Sequence, residues 1–247
     1  MQTIAVINPK GGTGKSTASS FLAIDFLHNK KKVLLVDLDA NAGCTRLLGI
    51  EADTARFSNI GELLGRTKVP LESVIYRSDE LDFVAADFTM SGLEFRFSGR
   101  KNHIGLLAKL FEQEGEGYDF IILDCPPNLR MLTINALAAA HHVFIPFTSD
   151  MESLSMLPQM YSTVEYISSL IKRPKTISAW NVMSKNTQPL TERQRELITQ
   201  QSWLVDRIGR VVVPYLPHQY QHKINVFEET PLSNHYKILS KHLQEFI

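Results

Sequence analysis

Pro9-Lys10-Gly11-Gly12-Thr13-Gly14-Lys15-Ser16-Thr17 lies between an apolar run at residues 3–8 and an apolar-faced segment at 16–29. Strand, glycine-rich turn and helix in that order make a receptor for a polyphosphate. Glycines let the backbone curl so that successive N–H groups converge on phosphate oxygens. The helix that follows adds the positive end of its dipole. Lys15 can reach the β- and γ-phosphates and the Ser16 hydroxyl can ligate Mg²⁺, so Gly11, Gly12, Thr13, Gly14, Lys15, Ser16 and Thr17 are the expected nucleotide-binding residues. The strict pattern G-x-x-x-x-G-K-[ST] is not met, because Pro9 occupies the first glycine position.

Outward from this loop the chain alternates short apolar runs with longer amphipathic ones. Strands are expected at 3–8, 32–37, 81–85, 120–123, 143–147, 176–182 and 211–213. Helices are expected at 16–29, 102–113, 132–140, 153–171, 190–201 and 233–246. Continuous apolar strands separated by helices imply a parallel sheet covered on both faces. The expected fold is α/β, a three-layer α/β/α sandwich with a mainly parallel sheet, of P-loop NTPase type. Residues 41–80 break the rhythm and read as a loop-and-helix excursion; 214–231 is a second irregular stretch. No linker divides the sequence, so residues 1–247 are expected to form one domain.

Composition sets outer limits. The 247 residues carry 26 basic and 26 acidic side chains, so no global field draws the chain to nucleic acid or anionic lipid; either would need a local patch. Cys44 and Cys125 are too few for a disulfide scaffold or a tetrathiolate zinc site, and a reducing cytoplasm is the simplest expectation. No stretch approaches the ~20 apolar residues that span a bilayer, and no targeting segment is visible. The histidine pairs His141-His142 and His218 with His222 lack nearby ligand partners and are read as structural.

Three further acids complete the candidate site. Asp124 ends the apolar run 120–123, where a carboxylate would hold Mg²⁺ beside the loop. Asp37 and Asp39 follow the run at 33–36, and alternation along an extended segment puts both on one side.

Lys10 narrows the reading. Lys-Gly-Gly-x-Gly-Lys-Ser-Thr, with a second lysine inside the loop, resembles the deviant Walker A motif of the ParA/MinD family of ATPases, nearest to the small ParA-type partition ATPases. Asp37-Leu38-Asp39-Ala40-Asn41 resembles that family's first switch, most often Asp-x-Asp-Pro-Gln, and Cys125-Pro126-Pro127 its second, usually Thr-Pro-Pro. The resemblance implies an Mg²⁺-dependent ATPase in which Lys10 touches the partner's nucleotide, Asp39 positions the attacking water and Asp37 supports the magnesium shell. Lys15 already serves its own nucleotide, which leaves Lys10 with no obvious task within its own chain.

It also implies Asn181 reading the adenine edge and the loop at Pro214 closing over the base. It implies, further, an ATP-bound homodimer, nonspecific DNA binding through surface lysines and arginines, and a centromere-binding or cargo-adaptor partner. The location implied is cytoplasmic, and nucleoid-associated when ATP-bound. Candidate DNA contacts are Lys172, Arg173, Lys175, Arg193, Arg195, Arg207, Arg210 and Lys223. The alternative within the resemblance is a MinD-like membrane-associated positioning ATPase docking through the C-terminal helix, whose polar face is poor in basic residues for that purpose. A metabolic P-loop enzyme, such as an ATP-dependent amidase or ligase, is the more distant alternative. The first strand begins at Thr3, so an N-terminal operator-reading extension is not expected.

Overall fold

The computed structural model describes residues 1–49, 59–64, 69–77, 81–93, 95, 104–173, 175–183, 191–199, 208–212, 237, 240 and 241. Eight strands form one sheet in the order β3-β4-β2-β5-β1-β6-β7-β8. They are β1 (Gln2–Val6), β2 (Val33–Asp37), β3 (Tyr76–Arg77), β4 (Asp82–Val84), β5 (Phe120–Asp124), β6 (His142–Phe147), β7 (Thr176–Met183) and β8 (Ile208–Val212). All neighbours run parallel except β3 with β4.

The described helices are α1 (Lys15–His28), α2 (Gly43–Leu47), α3 (Ile60–Leu63), α4 (Leu106–Glu114), α5 (Met131–Ala139), α6 (Met151–Ile171) and α7 (Glu192–Thr199). Successive residues of a strand face opposite sides of the sheet, and the core divides accordingly. Ile4, Val6, Val33, Leu35, Phe120 and Ile122 pack with Phe21, Leu22 and Phe26 of α1. Ala5, Leu34, Val36, Ile121 and Leu123 pack with residues of α4, α5 and α6 on the other face. Phe26 stacks on Phe120 with ring centroids 4.3 Å apart. The central positions of these strands are apolar in succession because both their faces are covered, and the three layers follow.

The excursion at 41–80 contains α2, α3 and a 3₁₀ turn, Leu71–Val74, and also the two-residue edge strand β3, which the sequence did not announce. Of the C-terminal helix expected at 233–246, only residues 237, 240 and 241 are described. They are helical, and the Ser240 hydroxyl is hydrogen-bonded to Asp25 of α1. Among the described residues no helix is long and apolar enough to cross a membrane.

Topology places the site. β5 inserts between β1 and β2, with Val6 opposite Asp124 and Asp124 opposite Asp37. Three strand ends therefore meet on one edge of the sheet, at the carboxyl ends where open α/β sheets bind ligands.

Candidate nucleotide site

The loop after β1 is held from below by Asn8. Its buried side chain donates to Pro146 O (2.8 Å) and accepts from Lys10 N (2.9 Å). Gly12 (φ 75°) and Gly14 (φ 84°) take left-handed backbone angles that turn the chain back into α1. Gly14 is the N-cap of α1, with no side-chain cap and no acidic residue in the first turn. The opening N–H groups of α1 are thus not taken up by a protein side chain, the arrangement that favours an anion. Lys15 is buried, its Nζ donating to Lys10 O at 3.1 Å. Burial pulls its ammonium below the ordinary lysine range, while Asp124, Asp39 and Cys125 oppose that shift.

Asp37 and Asp124 are both fully buried. Asp37 is occupied on each oxygen. Oδ1 accepts from Asp39 N (3.0 Å), and Oδ2 accepts from Thr45 N (3.0 Å) and Thr45 Oγ1 (2.9 Å). Asp124 differs: Oδ1 accepts from Ser19 Oγ (3.1 Å), whereas Oδ2 is buried with no hydrogen-bond partner among the described residues, the Ser16 and Cys44 side chains lying near enough only to ease the carboxyl's shift. Burial drives both carboxyls above the usual carboxylate range, and for Asp37 the Asp124 charge adds to it. An orphaned carboxylate oxygen in a pair that resists ionisation is an unfilled demand for positive charge. Ser16 and Asp124, with Asp37 behind them, fit a hard divalent cation.

Asp39 is half-buried, and its Oδ1 accepts from Asn41 N (2.9 Å) and Asn41 Nδ2 (3.0 Å). The loop then turns at Ala42 (φ 54°) into α2. Gly43 packs so close to the loop that a Cβ there would collide with Ser16 Oγ. This residue was not singled out from sequence, although a glycine just past the acidic loop was its only signal. Cys44 packs against the same turn, its Sγ 3.3 Å from Ser16 O. Burial pushes the Cys44 and Cys125 thiols well up, so both are inert packing groups.

Lys10 does have a task within its own chain. Its ammonium pairs with Asp150 and with Glu152 (3.2 Å), at the start of α6. Burial opposes the charge, but the hydrogen bonds and charges of the two carboxylates together outweigh it and hold the Lys10 ammonium above its ordinary value. Asp150 is also the N-cap of α6, accepting from Ser153 N at 3.0 Å. Its carboxyl, raised by burial, is brought down to about 2 chiefly by Lys10 and by bonds from Thr148 and Ser153.

Other expected residues are scattered. Asn181 is on β7, opposite Phe147, but its side chain and Pro214 lie outside the described residues. Among the basic candidates, Arg173 pairs with Glu112 (2.5 Å) and Lys175 donates to Ala140 O (2.6 Å). Burial and Arg173 lower the Lys175 ammonium to about 8. Arg193 is exposed on α7, Arg210 lies on β8 by its backbone, and Arg207 and Lys223 lie outside the described residues. His141 Nδ1 accepts from Thr3 N (3.1 Å) and His142 Nδ1 lies 2.6 Å from Thr176 Oγ1, so both histidines serve the sheet.

Residues 1–177 match the profile of the AAA_31 family, an AAA domain. A ParA family protein of Chlamydia trachomatis is 34% identical over 78% of this chain and 77% of its own length. The chain belongs to the ParA/MinD family. The chromosome partitioning protein ParA of Caulobacter vibrioides is 31% identical over 68% of this chain, and the match spans 63% of that protein's length. The chromosome-partitioning ATPase Soj of Treponema pallidum is 29% identical over 86% of this chain and 83% of its own length. Among solved structures, apo McdA of Cyanothece superposes with a TM-score of 0.83 at 19% identity, covering 98% of this chain and 99% of McdA. Cobyrinic acid a,c-diamide synthase of Mycobacterium smegmatis, solved with an ATP analogue and magnesium, gives 0.78 at 24% identity, covering 99% and 94%. These likenesses establish the three-layer P-loop fold.

Proposed function

We propose that this chain is a ParA-type, Mg²⁺-dependent ATPase, folded as one domain, whose ATP-bound form is a sandwich homodimer. The observation that carries the reading is a two-lysine phosphate loop beside three strand-end acids, one of which keeps a buried, unsatisfied oxygen. ATP lies with its phosphates against the N–H groups at residues 11–17 and the Lys15 ammonium. Ser16 and Asp124 hold Mg²⁺, which would neutralise charge developing on the phosphates. Asp39 orients the attacking water. Lys10 leaves Asp150 and Glu152 and reaches the nucleotide of the partner subunit, a cation supplied across the interface as an arginine finger is. Asn181 and the Pro214 segment receive the base.

The dimer binds nonspecific DNA and so associates with the nucleoid in the cytoplasm. A centromere-binding or cargo-adaptor partner stimulates hydrolysis and release, which moves a plasmid, chromosome or other cargo. Membrane docking of MinD type has less support, since the Ser240–Asp25 contact ties the described part of the C-terminal helix to α1. A small-molecule amidase or ligase has less support because relatives near 30% identity include chromosome-partitioning proteins.

The test mixes Lys10→Gln with Asp39→Ala protein. Each alone should bind ATP and hydrolyse it at least about 10³-fold more slowly. In the mixture, the site with intact Asp39 faces an intact Lys10, so turnover returns in part. Turnover that stays at the level of the separate variants, with heterodimers demonstrated by co-purification of differently tagged subunits, rules out Lys10 acting across the interface. In the same preparation, DNA binding should require ATP and weaken steeply with salt.

A further inference from the structure

We infer that Asn41 is a positioning residue for Asp39, an inference that rests on the water-orienting role proposed for Asp39. The segment from Asp37 to Arg46 is closed by its own hydrogen bonds. Asp37 gathers Asp39 N, Thr45 N and the Thr45 hydroxyl. Ala42 N donates to Asp39 O at 2.7 Å, and the Arg46 guanidinium donates to the Asn41 carbonyl, so α2 grips the far end of the loop. Within that frame, the bond from Asn41 N to Asp39 Oδ1 makes an ordinary turn, and any residue other than proline could supply it.

The second bond is different. Asn41 Nδ2 reaches the same oxygen at 3.0 Å, and this donor comes from the side chain, not from the turn. The terminal torsion of aspartate is broad, so one hydrogen bond leaves the carboxylate free to swing. Two donors converging on Oδ1 remove that freedom. No hydrogen bond occupies Oδ2 among the described residues, which leaves it to accept from a water molecule. Asn41 itself is exposed and packs in no core, so the bland reading, a residue kept for stability, has little to act through. Its amide acts through Asp39.

The experiment is single-turnover hydrolysis of Mg-ATP by full-length Asn41→Ala and Asn41→Asp proteins, beside Asp39→Ala and the double variant Asp39→Ala/Asn41→Ala. Asn41→Ala keeps the backbone turn and loses the second donor. Its kcat should fall about tenfold, the scale of a modest loss of orientation, with KM and ATP-dependent dimerisation unchanged. Asn41→Asp has nearly the same shape but no amide donor, and it sets a like charge beside Asp39, so it should fall further. In the Asp39→Ala background Asn41→Ala should cost nothing more. Asn41→Ala turning over at the wild-type rate, while Asp39→Ala is slow, would overturn the inference and leave the role of Asp39 standing. An equal further loss in the double variant would also overturn it, since Asn41 would then act independently of Asp39. Asp39→Ala at the wild-type rate would instead remove the reading on which the inference rests.

Discussion

Lys15 is a lysine that the apo protein holds at a cost. It is buried, its charge is opposed by desolvation, and among the described residues the one hydrogen bond its Nζ donates goes to a neutral carbonyl. Such a group is kept for a ligand rather than for the fold. Lys15→Ala should therefore separate binding from stability. Affinity for labelled ATP should drop at least about 100-fold, as when one member of a desolvated charge pair is truncated. The thermal midpoint of the nucleotide-free protein should not fall, and the rise on adding Mg-ATP should disappear. Retained ATP affinity would remove the phosphate-loop assignment. Lys15, Ser16 and the acids at 37, 39 and 124 were legible because each stands at the end of an apolar run or in a glycine-rich turn. The partners of Lys10 were not, for Asp150 is 140 positions away and nothing local in the sequence points to it.

At the scale of elements, α6 and the phosphate loop share a residue. Asp150 caps the helix and pairs with Lys10, and the two tasks can be pulled apart. Asparagine caps as well as aspartate, so Asp150→Asn should leave thermal stability within about 0.5 kcal/mol, an exposed ion pair being worth little. Asp150→Ala should cost about 1 kcal/mol by loss of the cap. Both remove the Asp150 charge from Lys10 and leave it only Glu152, so chemical unfolding should distinguish the two variants while any change in ATP-dependent dimerisation should be common to both. A stability loss as large in Asp150→Asn would mean that the ion pair, not the cap, holds the helix start.

The elements most legible in the sequence were those buried on both faces, such as β1, β2 and β5, whose apolar runs admit little else. β3 escaped notice because both its residues are exposed and its pairing is antiparallel at an edge. α2 escaped because five residues opening on a glycine have little helical tendency of their own; Cys44 and Thr45, packed and hydrogen-bonded beside Ser16 and Asp37, hold it in place.

For the whole molecule, the acid pair makes stability depend on pH and on the cation. A free carboxyl ionises near 4, whereas Asp37 in the fold does so at about 8, and Asp124 is shifted the same way. Between those values the folded state binds more protons than the unfolded one. Stability is then fully present below about pH 4 as far as these groups are concerned, and is lost as pH rises toward 8. The loss is on the order of 1 kcal/mol per pH unit for one proton. Between pH 7 and 8 the lowered Asp150 contributes no slope, because its window lies below pH 4, and the lowered Lys175 opposes the loss only as pH approaches 8. Calorimetry should show the nucleotide-free protein melting lower at pH 8 than at 7, with the difference shrinking in Mg-ATP. Equal midpoints without ligand would mean that both carboxyls are already ionised in the folded protein at pH 7.

The strand order has one more consequence, for the way the chain comes into being. β1 and β2 are consecutive in sequence but never touch as partners, because β5, more than eighty residues later than β2, lies between them. A nascent chain that has left the ribosome only as far as β4 carries the whole phosphate loop, Asp37 and Asp39, yet has no central strand to hold them side by side. Loop closure over that separation must come before the contacts that reward it. The proposed triphosphate site is therefore assembled only once Phe120–Asp124, at the midpoint of the 247 residues, has entered the gap, and a chain that ends at β4 has no formed site to offer a nucleotide.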